Sequence, residues 1–288
     1  MSAGEFELAI LGGPWSRRLA PRRAWLDALP WDEELPRGAD GARVVWTRTA
    51  FSEYASAAAF AEIAGALLAA GAPIDLVAAA GDFVVDEIVH TEAAARVAAA
   101  LGGAVALEVD LERLVRPPAA RGALLRAAEL MVRVSCVGEA LTVPMLKISR
   151  RLAGSALIDA VLARVVADEA SHAQLGWWFL DWADPALDRP AREHLGRAAG
   201  AAIRAFAPLL GGGCTDSGLG AVACDRYDPA LAEAAARQVA RPLAARGIEV
   251  PVEDLAAVGA HAGAGGADGA GGADGADGTL DIIDAARG

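Results

Sequence analysis

Apolar side chains recur with helical spacing over four long stretches of the chain, and Gly or Pro bounds each stretch. Ser52 is a suitable N-cap for the first stretch, and Gly71-Ala72-Pro73 should end it. Gly102-Gly103 should end the second, Pro144 should interrupt the third, and Gly154-Ser155 should turn the chain into the fourth. The predicted helices lie at about 52–70, 74–101, 121–152 and 155–182.

The links between these helices are short within each pair and longer between the pairs, which is typical of an all-α four-helix bundle. Residues 1–50 contain prolines at 14, 21, 30 and 36, so we predict an irregular N-terminal extension that packs on the bundle. The bundle should occupy 51–185, and additional C-terminal helices at about 190–210 and 228–246 should occupy 186–260. Residues 261–288 should form a low-complexity Gly/Ala/Asp tail with a short terminal helix.

The composition argues against some classes of partner and indicates a cellular compartment. A net charge of −12 in 288 residues, with a pI near 4.8, argues against nucleic acid and anionic membranes as partners. Cys136, Cys214 and Cys224 form neither a disulfide framework nor a CxxC metal site. Neither a signal peptide nor an uninterrupted membrane-spanning segment is evident, so we expect a cytoplasmic protein.

An acidic pair precedes a histidine twice, and the chain has only four histidines. Residues three apart share one helix face, so the glutamate and the histidine of each motif can reach the same point. One carboxylate and one imidazole make half of a mixed oxygen and nitrogen metal site, without the sulfur that favours thiolate-bound zinc or an iron–sulfur cluster. The motifs therefore suit iron or manganese, and they read Asp86-Glu87-Ile88-Val89-His90 and Asp168-Glu169-Ala170-Ser171-His172.

The other two helices can each supply one acidic ligand. Glu139 lies in the apolar run VSCVGEALTVPML, so it should point inward, where a metal or a buried ion pair with an arginine would compensate its charge. On the first helix, Phe60, Ile63, Leu67 and Leu68 lie around the direction of Glu53, while Glu62 points about 180° away at about 100° per residue. Glu53 is therefore the predicted ligand and Glu62 a surface charge.

The set Glu53, Glu87, His90, Glu139, Glu169 and His172 resembles the ferritin-like di-iron carboxylate superfamily, which includes bacterioferritin, rubrerythrin, the ribonucleotide reductase radical subunit and bacterial multicomponent monooxygenases. The segments that look most like bacterial ferritin-like domain proteins are SEYASAAAFAEIAGALLAAGAP, DEIVHTEAAARVAAALGG, CVGEAL and ADEASHAQLGWWFLDW. Those proteins more often have His directly after the first Glu, where this chain has Tyr54.

The resemblance implies a ferritin-like four-helix bundle with two Fe ions, or a Mn/Fe pair. Glu53 would be a terminal ligand of one metal together with the helix of His90. Glu169 and His172 would serve the other metal, and two of the four glutamates would bridge. Asp86 and Asp168 would each orient the histidine of the opposite motif, although an Asp beside a Glu on a helix is also common as surface charge.

Three functions fit these residues. The first is O2-dependent oxidation of a small organic or amino acid-derived substrate, with an external electron donor. Thr142 and the helix loosened by Pro144 could then admit O2 or substrate, or Thr142 could simply bond to its own helix. Tyr54 is a candidate redox-active side chain. The second function is a ferroxidase or peroxide scavenger, and the third is a non-catalytic, metal-stabilised bundle that binds a partner through Trp177, Trp178 and Trp182.

Overall fold

A computed structural model describes residues 4–36, 39–206, 217–223, 226–256 and 258 of the chain, and helices dominate this part. The chain begins with strand β1 (Gly4–Glu5) and helix α1 (Gly13–Asp27), followed by the long helices α2 (Asp40–Ala70) and α3 (Ile74–Ala100). Strand β2 (Glu108–Val109) pairs antiparallel with β1. The next helical stretch is continuous from 123 to 151 and consists of α4 (Ala123–Met131), a π-helical segment (Val132–Glu139) and α5 (Ala140–Arg151).

Helix α6 (Ala156–Ala183) completes the four long helical stretches, which we call the central helices. Helix α2 packs along α3 and against α4, while α6 packs against α3, the π-helical segment and α5. Single residues determine the turn between α2 and α3 and the turn between α5 and α6. Gly71, with φ 66°, lets Ala72 N–H donate to the Leu67 carbonyl, and the Ser155 hydroxyl accepts a hydrogen bond from Ile158 N–H at 3.2 Å.

The core is divided between the two halves of the central helices. One cluster of buried side chains includes Phe60, Ile63 and Phe179, and another includes Trp46 and Ile158. The polar cluster described below lies on the same four helices. The expectation that Leu68 points inward is wrong, because 68% of it is exposed near the C-terminal end of α2.

The N-terminal region differs from the irregular extension expected for residues 1–50. Helix α1 accounts for much of it, and α2 begins at Asp40, so Ser52 lies inside a helix and is not an N-cap. Pro14 lies in the first turn of α1, where a helix has no need of its N–H, and Pro21 is tolerated inside the same helix. Prolines in this region are therefore weaker helix breaks than the sequence indicated.

The third central stretch also differs from the expectation of an interruption at Pro144. The helix continues through Pro144, and its departure from α geometry lies upstream, in the π-helical segment that ends at Glu139. Such wide turns occur mostly as local insertions in α-helices and are frequent at functional sites. The segment therefore coincides with one of the predicted ligands and not with the proline.

Helices follow the central ones, as expected at about 190–210 and 228–246, and the first two of them pack on the central helices. These C-terminal helices comprise α7 (Arg189–Phe206), α8 (Asp228–Ala234), a second π-helical segment (Ala235–Ala240), α9 (Arg241–Ala244) and α10 (Val252–Ala256). The predicted tail at 261–288, Cys214 and Cys224 lie outside the described residues.

Among the described helices, α2 is long and apolar enough to cross a membrane by length and composition. The core helix of a soluble protein meets the same criterion, and the apolar part of α2 contains two glutamates, Glu53 and Glu62. The length and hydropathy of α2 alone therefore do not indicate a membrane span.

Candidate metal centre

Six acidic and histidine side chains from all four central helices meet in the interior of the protein. Five of them are buried, and Glu53 is the most exposed, with 12% of its side chain accessible. Glu62, nine residues further along α2, is exposed, as its helical phase predicted. The six are Glu53 on α2, Glu87 and His90 on α3, Glu139 at the end of the π-helical segment, and Glu169 and His172 on α6.

These side chains form two overlapping groups, each able to hold one metal ion. Position 1 consists of Glu53, Glu87, His90 and Glu169, and position 2 consists of Glu87, Glu139, Glu169 and His172. Within each group, one ligand atom from every residue lies within 4.8 Å of the others. Glu87 and Glu169 belong to both groups and are called the shared glutamates here, whereas Glu53 and Glu139 are the unshared glutamates.

Both histidines direct the same ring nitrogen at the carboxylates. His172 Nδ1 lies 2.9 Å from Glu87 Oε1 and 2.9 Å from Glu169 Oε2. His90 Nδ1 lies 3.3 Å from Glu169 Oε1, 3.7 Å from Glu87 Oε2 and 3.8 Å from Glu53 Oε2. The two Nδ1 atoms therefore face the interior of positions 1 and 2, and the Nε2 atoms face away.

Several atoms of this cluster lack the hydrogen bonds that buried polar atoms normally make. Among the described residues, both carboxylate oxygens of Glu87 and Nδ1 of His90 are buried without a well-directed hydrogen bond, although Glu87 Oε1 forms an ion pair with His172 Nδ1. Leaving such atoms unpaired is costly in a dry interior, and a bound cation would satisfy them. The residues therefore fit a metal pair, and the four carboxylates match the charge of two divalent ions.

The unshared glutamates show how unfavourable this negative charge is without a metal. Burial raises the pKa of Glu53 well above its ordinary value, and repulsion from Glu87 and Glu169 raises it further. Burial likewise raises the pKa of Glu139, and the same two neighbours add to the effect. Both groups therefore hold a proton more tightly than an exposed glutamate does.

The imidazoles supply positive charge instead. Burial lowers the pKa of His172, but contacts with Asp86, Glu169 and Glu87 outweigh it and raise that pKa to about 12. The pKa of His90 is also raised, because Asp168, Glu169 and Glu87 outweigh its burial. Burial would raise the pKa of Glu169, but its contacts with the His172 and His90 imidazoles hold that pKa well below its ordinary value. A metal ion would supply the same kind of charge.

The acidic residue that precedes each glutamate lies beside the histidine of the opposite motif. Asp168 Oδ2 is 3.1 Å from His90 Nε2, and Asp86 Oδ2 is 3.7 Å from His172 Nε2. The His90 contact is a hydrogen bond, and the His172 contact is a longer ion pair. A carboxylate beside Nε2 favours the tautomer that leaves Nδ1 free to bind a metal.

The surroundings of the two positions differ. The Phe83 ring centroid lies 4.2 Å from the His172 ring, and that of Phe60 lies 5.2 Å away, so aromatic side chains enclose position 2. Position 1 contains Glu53, the most exposed of the six side chains. Position 1 is therefore the less enclosed of the two.

Tyr54 and Thr142 are not members of either group. The Tyr54 ring lies 5.6 Å from the Phe6 ring, so it packs against the segment that follows β1. Thr142 is half-buried on α5, three residues beyond Glu139. Of the tryptophans considered for partner binding, Trp178 is 50% exposed and Trp182 37% exposed, whereas Trp177 is half-buried beneath the Arg246 guanidinium.

Two arginines next to the site were not anticipated from the sequence. Arg22 on α1 donates to Asp86 Oδ1 at 2.6 Å, and Arg164 on α6 donates to Asp168 Oδ2 at 2.8 Å. Arg164 could have been found, because it lies four residues before Asp168 on the same helix. Arg22 is distant in sequence, and residues 1–50 were expected to be irregular, so no sequence signal pointed to it.

Comparison of the chain with models of protein families, with curated proteins and with solved structures finds no match.

Proposed function

We propose that the chain is a ferritin-like four-helix bundle that binds two iron ions, or a Mn/Fe pair, and uses them to activate O2. Its reaction would be the oxidation of a small organic or amino acid-derived substrate, with electrons from an external donor. The observation that carries this proposal is the overlap of two buried ligand groups in Glu87 and Glu169. An isolated metal site would not need two carboxylates within reach of both positions.

A metal pair bound there would supply the reduction of dioxygen coupled to oxidation of an organic molecule. The protein's part is to hold the ligands and exclude water. Glu87 and Glu169 can each present one oxygen to each position, while Asp86 and Asp168 keep a proton on Nε2 of the histidines. Phe60 and the other aromatic side chains around His172 keep that side dry.

A second candidate is a ferroxidase or peroxide-scavenging protein, in which iron or peroxide is the substrate. It is favoured by the position of a cavity of about 600 Å³ between α2 and the 117–123 segment, at a distance from the proposed ligands along the bundle surface. That cavity is lined by Glu62, Pro118, Arg126 and their neighbours and contains none of the six proposed ligands. A small substrate would need no organic pocket beside the metals.

The third candidate is a bundle in which metal serves only stability and exposed aromatic residues bind a partner. Trp178 and Trp182 are the observation in its favour. The unpaired buried atoms of Glu87 favour a bound metal in all three candidates, so metal binding has to be tested before reactivity.

The test is anaerobic reconstitution with Fe(II), metal counting, and stopped-flow absorbance on mixing with O2, with and without excess Fe(II). Two irons per chain and a single oxidation without turnover of added iron would support the oxidase or oxygenase proposal. Repeated oxidation of excess Fe(II) would favour the ferroxidase. Absence of iron binding would overturn both, and Glu62→Gln, which alters an exposed glutamate on the same helix as Glu53, is the matched control.

A further inference from the structure

The two histidines differ in how their acidic partners are held. Asp168 is bound by Arg164, which lies one turn earlier on the same helix. Asp86 is bound by Arg22, which belongs to α1 and lies outside the central helices. The arginine beside position 1 thus belongs to the central helices, although its guanidinium also lies 5.6 Å from the ring of Trp25 on α1, and the arginine beside position 2 belongs to α1 itself.

The contacts of Asp86 join α1 directly to a proposed ligand. Its Oδ1 accepts a hydrogen bond from Arg22 at 2.6 Å, and its Oδ2 faces His172 Nε2 at 3.7 Å. Arg22 also contacts Asp82 at 2.9 Å, one turn earlier on α3, so its guanidinium bridges two carboxylates. Charge-assisted hydrogen bonds of this kind restrict a carboxylate more strongly than neutral ones.

Asp86 has little else to restrain it. It is partly accessible to water, and its contact with His172 is longer than a hydrogen bond. Without Arg22, the Asp86 carboxylate could turn toward solvent, and the His172 ring would lose the group that orients it. The loss of such supporting groups typically weakens metal binding by about 10-fold to 100-fold.

We propose that Arg22 is a positioning residue for position 2, so that its contact with Asp86 governs metal occupancy at His172 more than at His90. This inference rests on the proposed function, because it requires that the six ligands bind metal. It assigns α1 a role in the metal centre, although α1 contributes none of the six ligands.

Arg23 offers a matched control. It is adjacent to Arg22 on α1 and forms an equally short ion pair with α3, at 2.6 Å to Glu92. Glu92 also binds Arg96, and the structure gives it no contact with either histidine. Replacing Arg23 therefore weakens α1 docking without removing a contact of Asp86.

The experiment is anaerobic titration of the full chain with Co(II), whose visible absorbance reports binding at each position. In a Glu53→Gln background, which keeps the full ligand set of position 2 and removes one ligand of position 1, Arg22→Ala should weaken Co(II) binding about 10-fold. In a Glu139→Gln background, which keeps the full ligand set of position 1 and removes one ligand of position 2, the same change should have less than about a twofold effect. Arg22→Lys should restore part of the affinity, and Arg164→Ala should show the reverse selectivity.

Equal effects of Arg22→Ala and Arg23→Ala would overturn the inference, as would equal effects of Arg22→Ala in the two backgrounds. Circular dichroism and thermal unfolding of each metal-free variant distinguish loss of affinity from loss of fold. If the unmodified chain binds no Co(II) and no Fe(II), the proposed function fails and the inference fails with it. Two ions in the unmodified chain with no selectivity in Arg22→Ala would overturn the inference alone.

Discussion

Replacing a shared glutamate should remove more bound metal than replacing an unshared one. Glu87→Gln keeps the size of the side chain but removes a charge that serves both positions, whereas Glu139→Gln affects only position 2. We expect the unmodified chain to bind two ions, Glu53→Gln and Glu139→Gln to retain one, and Glu87→Gln and Glu169→Gln to retain little. Glu62→Gln should leave both ions in place, because Glu62 is exposed on α2.

The size of the effect can be expressed as the rise in Tm that bound metal produces. A ligand that binds only the folded state stabilises it by about 2.7 kcal/mol when its free concentration is 100 times Kd, so two ions supply about 5.4 kcal/mol. For a chain of this size, each kcal/mol raises Tm by about 2–4 °C, so saturating metal should raise Tm by about 10–20 °C. The shift should fall to about half in the unshared variants and nearly vanish in the shared ones.

The assay is a thermal melt monitored by circular dichroism, with and without Mn(II), combined with metal counting after gel filtration. Without metal, Glu87→Gln should unfold no earlier than the unmodified chain, because it removes a buried carboxylate that repels Glu53 and Glu139. This separates loss of metal from loss of fold. A Glu87→Gln variant that loses a single ion, as Glu139→Gln does, would refute the assignment of Glu87 to both positions.

The remaining predictions concern pH, packing and the tyrosine. The two site histidines and the two unshared glutamates all have raised pKa values, so above about pH 5 these four groups bind more protons in the folded metal-free protein than in the unfolded chain. The stability that these four groups contribute is present below their unfolded pKa values and is lost as pH rises from about 5. The metal-induced rise in Tm should instead grow with pH, because the metal displaces protons from its ligands. Thermal melts at several pH values, with and without metal, test both trends. Gly176→Ala should destabilise the fold by about 1–3 kcal/mol in a urea titration, because its new methyl group would lie 2.5 Å from Cys136 Sγ, while Gly81→Ala, with open space around it, should not destabilise. Tyr54→Phe should leave two bound ions, because the Tyr54 ring packs against Phe6; loss of an ion on metal counting would contradict that placement.

Much of the site could be predicted from the sequence because its decisive spacings are local. A glutamate and a histidine three residues apart share one face of any α-helix, so both D-E-x-x-H motifs could be paired without tertiary information. The helical phase of Glu53 and Glu62 likewise separated an inward from an outward carboxylate on α2. The ends of α2 and α3 followed from Gly71 and the glycine pair at 102–103, whose conformational freedom ends helices whatever packs around them.

Tertiary structure decided the features that depend on which helix faces which. The assignment of Glu87 and Glu169 to both groups arises from the packing of α3 against α6, and helical spacing within one element cannot reveal it. The π-helical segment that ends at Glu139 also escaped prediction, since the expected interruption was placed at Pro144 and not near Gly138. Arg22 reaches Asp86 because α1 lies along α3, a contact between residues 64 positions apart. Local spacing thus determined which residue types are proposed as ligands and which helix face each occupies. Long-range packing determined how these residues combine into two positions and which arginine supports each one.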